Sequence, residues 1–363
     1  MSILFSPINI GPYGLAHRVV MAPLTRMRSE LGDIPGSLMV EYYRQRASAG
    51  GLIIAEATPV SPLGIAFAGA PGIYADNQIG GWTRVVDAVH DRNARIFLQV
   101  WHCGRQSHPD IINGQTPVAP SAIRAEGYGV SNNGEIAFSM PRALELDEIP
   151  HIVEQFRRAA ERAMAAGFDG VELHAANGYL VDQFLEDGSN HRTDQYGGSI
   201  ENRSRFPLEV VDALVSVWGG QRVGVRISPS GQFGSMWDSN PAKIFGYFAG
   251  QLNRYNLAYL HVIEPRIKGN QEIVQGAPPV AAKNLRRIFH GPIIAAGGFE
   301  GAGAEAIVKE GHADLVAFGR HFISNPDLPE RLRHNIPLNP YNRTTFYGGN
   351  HTGYIDYPFH TDS

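Results

Sequence analysis

Cysteine is nearly absent from this chain of 363 residues, where Cys103 stands alone. No intrachain disulfide can form, which excludes a stapled secreted scaffold and fits a reducing, cytoplasmic location. Lysine is scarce too, confined to Lys243, Lys268, Lys283 and Lys309, so chemistry through a lysine amine has few places to occur. No run approaches the ~18 apolar residues of a membrane span. The start, Met1-Ser2-Ile3-Leu4-Phe5, lacks the basic flank and long apolar stretch of a signal peptide. Blocks of one charge are missing, and a net charge of −4 offers no surface for nucleic acid or membrane. What is present is a 43% apolar, 18% charged chain, the balance of a globular protein with a large buried core.

Short β-branched runs alternate with stretches of helical period. The strand candidates are Arg18–Ala22, Leu52–Glu56, Ile96–Val100, Gly170–His174, Val223–Ile227, Tyr259–Ile263, Ile293–Ala296 and Leu315–Phe318. Between Asp147 and Gly167, apolar Ile149, Ile152, Val153, Phe156, Ala160 and Ala163 recur every three or four residues, with Asp147 placed to cap the helix and Gly167 to end it. A further helix starts near Pro241, with Ser239 or Asn240 as its cap and Ile244, Phe245, Phe248 and Leu252 on one face. Strands followed by helix-length segments imply a parallel sheet buried on both faces. An open doubly wound sheet and a closed barrel both satisfy that rhythm; eight strands in a chain of this length favour an α/β fold of the (β/α)8 barrel type. The predicted organisation is one domain over 1–363, interrupted by a Gly/Pro/Ser/Asn-rich excursion from about 104 to 144 that would cap the site, and closed by an aromatic tail from about 341.

In such a barrel, chemistry belongs at the C-terminal ends of the strands, and polar or unusual residues gather there. Gly297-Gly298 and Gly319-Arg320 follow the seventh and eighth strands, where backbone N–H groups bared by glycine and a permanent cation suit a phosphate. The order of spacings among Gly298, Gly301 and Gly303 is wrong for a dinucleotide fingerprint. In His174-Ala175-Ala176-Asn177-Gly178-Tyr179, His174 and Asn177 would face one way if the chain turns helically, and both could donate to one carbonyl oxygen. Tyr179 is placed to protonate carbon as a general acid. The same residues also suit a core histidine, a turn asparagine and a packed tyrosine. Zinc is poorly supported, because neither H-E-x-x-H nor a cysteine pair occurs. Arg226, inside a buried strand, needs an anionic or strongly polar partner. Gln99 can both donate and accept, and Thr25 can donate to a ring system on the other side.

The ordered set Met21-Ala22-Pro23-Leu24-Thr25-Arg26, Gln99-Val100-Trp101-His102, His174 through Tyr179, Asn190 through Ser199, Ala317-Phe318-Gly319-Arg320 and Phe346-Tyr347-Gly348-Gly349 resembles the Old Yellow Enzyme family, especially its bacterial ene-reductases and nitro-ester and morphinone reductases. The resemblance implies non-covalent FMN, hydride from NADPH or NADH, and delivery from the flavin to α,β-unsaturated carbonyls, maleimides or nitroalkenes. It assigns Pro23, Leu24, Thr25, Ala57, Gln99, Arg226, Gly298, Gly319 and Arg320 to FMN. His174 and Asn177 match the pair that grips the substrate oxygen, Tyr179 the proton donor, and Trp101, Phe67 and Tyr347 the aromatics lining the pocket. Phe67 stands where several relatives carry tyrosine. A monomer or homodimer acting on small molecules is implied. Tyr196-Gly197-Gly198-Ser199 reads as turn chemistry with Ser199 capping the next helix. Two rivals compete with the reductase: a non-catalytic flavin-binding sensor, and a Schiff-base aldolase using Lys268.

Overall fold

The computed structural model describes residues 2–268, 271–272 and 280–361. Eight parallel strands close into a barrel: β1 (Val19–Met21), β2 (Leu52–Pro59), β3 (Arg95–Trp101), β4 (Gly170–Ala175), β5 (Val223–Ile227), β6 (Tyr259–Ile263), β7 (Ile293–Ala296) and β8 (Leu315–Phe318). Each strand pairs with its neighbour in sequence, and β8 pairs with β1 to seal the circle. Helices α1 (Ser37–Arg46), α2 (Ile79–His90), α3 (Ile149–Ala165), α4 (Leu180–Leu185), α5 (Ile200–Trp218), α6 (Pro241–Leu252), α7 (Ala282–Leu285), α8 (Gly301–Lys309), α9 (Arg320–Ser324) and α10 (Leu328–His334) follow in chain order. Burial on both faces explains why the strands read as continuous apolar runs: every residue of β2, β4, β5 and β6 is buried. The predicted strands therefore stand. β2 runs three residues further than expected, with a register irregularity between Ala55 and Thr58 of the kind that re-aims side chains at a barrel rim.

Caps follow local chemistry, with one correction. Asn240 caps α6 by accepting from the Lys243 amide at 3.2 Å, and Ser199 caps α5 by accepting from Asn202. Asp147 does not cap α3. That helix starts at Ile149 behind Glu148, whose carboxylate is engaged by Arg142 at 2.6 and 2.7 Å. Gly167, at φ +89°, ends the same segment as expected.

The two ends of the barrel are finished differently. At the N-terminal end, the hairpin Ile8–Ile10/Tyr13–Leu15 packs Ile10 and Leu15 onto Val20, Leu52, Phe97 and Tyr259. At the other end, the excursion after β3 forms a hairpin, Tyr128–Ser131 with Gly134–Ala137, and Val130 bridges to Phe67.

The C-terminal tail is strapped to that same end by buried arginines. Arg26 donates to Phe346 O at 2.8 Å and Gly353 O at 2.8 Å, and Arg46 joins Phe322, Ile323 and Tyr354 carbonyls at 2.7–3.0 Å. Tyr354 is stacked on Tyr42, with ring centres 4.2 Å apart. Glu56 anchors the arrangement by accepting from the Arg26 amide and the Tyr43 hydroxyl, both at 3.1 Å. Burial pushes its carboxyl up to about 7, against the lowering effect of those bonds and of the Arg26 charge. An unfolded glutamate ionises near ~4.3, so the stabilising effect is complete below that pH and is lost as pH rises through 7. Between pH 5 and 8, urea unfolding of the wild type should therefore lose roughly 2–3 kcal/mol relative to Glu56→Gln. Parallel curves for the two proteins would show that Glu56 stays ionised in the folded state.

Candidate active site

A cavity of about 380 Å³ opens at the C-terminal ends of the strands. Its walls come from Pro23, Leu24 and Thr25 after β1, Asn177 and Tyr179 after β4, Arg226 near the end of β5, Gly297 and Gly298 after β7, and Gly319 and Arg320 after β8. Phe67, Tyr128, Val130, Phe346 and Tyr347 close the mouth. The excursion and the tail thus each contribute side chains to one opening.

Asn177 and Tyr179 reach the cavity by a route the sequence analysis did not foresee. The chain does not turn helically after β4. Asn177 and Gly178 adopt φ +58° and +73°, and the Tyr179 amide donates back to Ala176 O at 3.4 Å, the pattern of a turn with two left-handed residues. Asparagine and glycine are the residues that tolerate this conformation. A Cβ on Gly178 would stand 2.6 Å from Met236 Cγ and Phe233 O, so the position admits no side chain. Surrounding groups hold the turn: Asn177 N donates to Ser228 Oγ at 2.7 Å, Gly178 N to Asp182 Oδ2 at 2.9 Å, and Gln106 Nε2 to the Gly178 carbonyl at 2.7 Å.

Below this turn lies His174, 4% exposed, with its ring 4.9 Å from that of Tyr179 in an edge-on contact. Burial, then the Arg226 charge, pushes the imidazole well below its ordinary range. His174 is therefore a neutral ring near neutral pH, and its Nδ1 has no partner among the described residues. Burial pushes the Tyr179 phenol up, so it keeps its proton. Trp101 packs edge-on to Tyr179 at 5.0 Å and stacks on Phe67 at 6.0 Å.

Of the expected residues, Ala57, Gln99, Trp101 and His174 are not among those that wall the cavity. Ala57 and Trp101 belong to an apolar cluster with Phe67, Cys103 and Tyr179. Cys103 is fully buried there, a packing role. Gln99 is buried, and its Nε2 donates to Glu172 at 2.7 Å. Lys268 lies on the two-residue strand Ile267–Lys268 beyond β6, and its side chain falls outside what the structure describes.

Sequence reasoning missed Glu172 and His261, which are buried inside the barrel and joined at 2.8 Å. A usable signal existed: in a strand, residues two apart share a face, so Glu172 must point the same way as His174.

The cavity can be tested against a phosphate-bearing planar ring. Arg226 is 8% exposed, and its Nε has no partner among the described residues, leaving a donor available to an acceptor edge. At the far wall, Gly297 and Gly298 take φ +129° and +66°, and a Cβ on Gly297 would stand 3.2 Å from Glu264 Cβ. That wall bares backbone beside Arg320, as a phosphate cradle requires. The residues fit the group.

Comparison with known proteins then decides the family. The model of the NADH:flavin oxidoreductase / NADH oxidase family matches residues 3–339. The chain belongs to this family. The chain is 47% identical to 12-oxophytodienoate reductase 1 of Oryza sativa subsp. japonica over 362 residues, covering 98% of this chain and 93% of that protein. It is 45% identical to flavin oxidoreductase hxnT of Emericella nidulans, covering 98% and 97%. Among solved structures, morphinone reductase superposes with a TM-score of 0.93 at 49% identity, covering 99% of this chain and 96% of that one. Morphinone reductase in complex with tetrahydroNAD superposes with a TM-score of 0.92, also at 49% identity, covering 99% and 98%. The resemblance to the Old Yellow Enzyme family therefore holds, with its (β/α)8 barrel. The chain is an FMN-dependent ene-reductase that draws hydride from a nicotinamide.

Proposed function

We propose that this reductase acts on α,β-unsaturated carbonyls, maleimides and nitroalkenes, with His174 and Asn177 gripping the electron-withdrawing oxygen and Tyr179 supplying the proton. The observation that carries the reading is the Asn177-Gly178 turn, which brings an amide and a neutral phenol into one cavity above a buried guanidinium. When bound, FMN supplies reversible hydride transfer, first from the nicotinamide and then to the alkene. Pro23, Leu24, Thr25 and Arg226 would hold the ring, and Gly298, Gly319 and Arg320 the phosphate.

The protein's own part is placement and charge. As the β-carbon gains hydride, negative charge builds on the substrate oxygen, and donors already aimed there lower the barrier. A neutral imidazole suits this task, since it donates without first losing or taking up a proton. The α-carbon then takes the Tyr179 proton, leaving a phenolate that solvent reprotonates. Phe67, backed by Trp101, keeps that side of the pocket apolar, and the excursion hairpin with Tyr347 caps the mouth.

Phenols test the grip directly, because a phenol oxygen occupies the place of the carbonyl oxygen. Replacing both His174 and Asn177 by alanine should weaken binding of 4-hydroxybenzaldehyde to the holoenzyme roughly 10²-fold or more, read by optical titration of the flavin band. Unchanged phenol affinity would remove the pair from the substrate role.

A further inference from the structure

We infer that Glu172 is a positioning residue for the cofactor: held between Gln99 and His261, its carboxylate fixes the Gln99 amide, offsets the Arg226 charge and thereby sets the flavin's reduction potential. The inference rests on the reading of Gln99 and Arg226 as flavin contacts.

Glu172 is fully buried inside the barrel on β4. Its Oε1 accepts from Gln99 Nε2 at 2.7 Å, and its Oε2 pairs with His261 Nδ1 at 2.8 Å. Three barrel strands are thus tied by one carboxylate, directly beneath the layer of His174 and Arg226. A carboxylate accepts only, so it commits the Gln99 NH2 and leaves the Gln99 carbonyl oxygen as the end available to a ring N–H. Without that constraint the amide could present either end. Burial holds the His261 imidazole below its ordinary pKa; as a neutral ring it carries its proton on Nδ1, toward Glu172.

Arg226 registers with His174 on one side and with His261 on the other. Burial lowers its pKa, and the nearby Glu172 carboxylate raises it. The Tyr259 phenol is pushed up by burial and then by the same carboxylate. Reduction adds negative charge to the flavin. Arg226 favours that state and Glu172 opposes it. Glu172→Gln keeps the side chain's shape, removes the opposing charge, and leaves Arg226 unbalanced.

The test is anaerobic, dye-coupled potentiometry on the FMN-loaded protein. Glu172→Gln should shift the two-electron reduction equilibrium toward the reduced form by about tenfold or more, which is about 30 mV upward. A merely structural role for Glu172 would not raise the potential, so an unmoved or lowered value overturns the inference. Should an unbalanced guanidinium keep that variant from folding, Glu172→Gln combined with Arg226→Gln restores neutrality. Its reduction equilibrium should exceed that of Arg226→Gln alone by about tenfold, and equality between them overturns the inference. Arg226→Gln also separates the two levels of the reading. If it changes neither the potential nor the affinity of apoprotein for FMN, Arg226 is no flavin contact and the site assignment fails. If it changes them while Glu172→Gln does not, only the role of Glu172 falls.

Discussion

Replacing Tyr179 by phenylalanine is expected to slow alkene reduction roughly 10²–10⁴-fold, the usual contribution of a positioned general acid. Reduction of the flavin by nicotinamide should stay within about twofold, because no proton from Tyr179 is consumed in that half of the cycle. The structure makes this a clean substitution. The ring is held between Trp101 at 5.0 Å and His174 at 4.9 Å, both edge-on, and phenylalanine preserves those contacts. Burial pushes the phenol up, so it is a full proton reservoir at any working pH and its loss cannot be mimicked by alkaline buffer. Stopped-flow measurement of each half-reaction separates the outcomes. Equal losses in both halves would mean that the substitution has disturbed the pocket, and no loss in either would strip Tyr179 of its role.

Arg46→Met is expected to destabilise the protein by about 3–5 kcal/mol, although it touches neither cavity nor cofactor. Arg46 is 1% exposed, and burial lowers its pKa to about 10, so it remains charged at pH 7. Its guanidinium lies 3.7 Å from the centre of the Tyr42 ring and bonds four carbonyls, those of Phe322, Tyr42, Ile323 and Tyr354. Methionine fills the volume but leaves the carbonyls of Phe322, Ile323 and Tyr354 unsatisfied, at about 1–3 kcal/mol for each buried group that water cannot reach. Two of them belong to α9, which begins at Arg320, and the third belongs to the tail that carries Tyr347. Loss should therefore appear both in urea unfolding and as earlier proteolytic cutting in the tail after Asn339. Stability within about 1 kcal/mol of wild type, with an uncut tail, would mean that the strap is dispensable.

How much of this site could be read in advance depended on whether a residue acts through its type or through its direction. The Gly297-Gly298 and Gly319-Arg320 pairs were legible because backbone freedom and permanent charge are properties of the residues themselves, and both line the cavity. Arg226 was legible because an arginine within an apolar strand has to be compensated. The turn is another matter: His174 and Asn177 share a direction by sequence spacing only if the chain turns helically, whereas Asn177 and Gly178 take the left-handed region. Asn-Gly is itself the composition of such a turn, so the signal was present and was outweighed by the i, i+3 spacing. Trp101, expected to line the pocket, and Ala57, expected against the cofactor, pack in one apolar cluster with Phe67 and Tyr179, a layer that strand alternation alone does not resolve.

The periodicity of apolar runs determined eight strands, their parallel sense and the end of the barrel where chemistry gathers, since these follow from local pattern and from burial on two faces. What only the tertiary structure decided is long-range: that Arg26 and Arg46 clamp a tail some three hundred positions away, and that Glu172 joins Gln99 to His261 across the barrel interior. A one-dimensional pattern encodes which face a side chain takes. It does not encode which distant side chain waits there, because that depends on closing the barrel first.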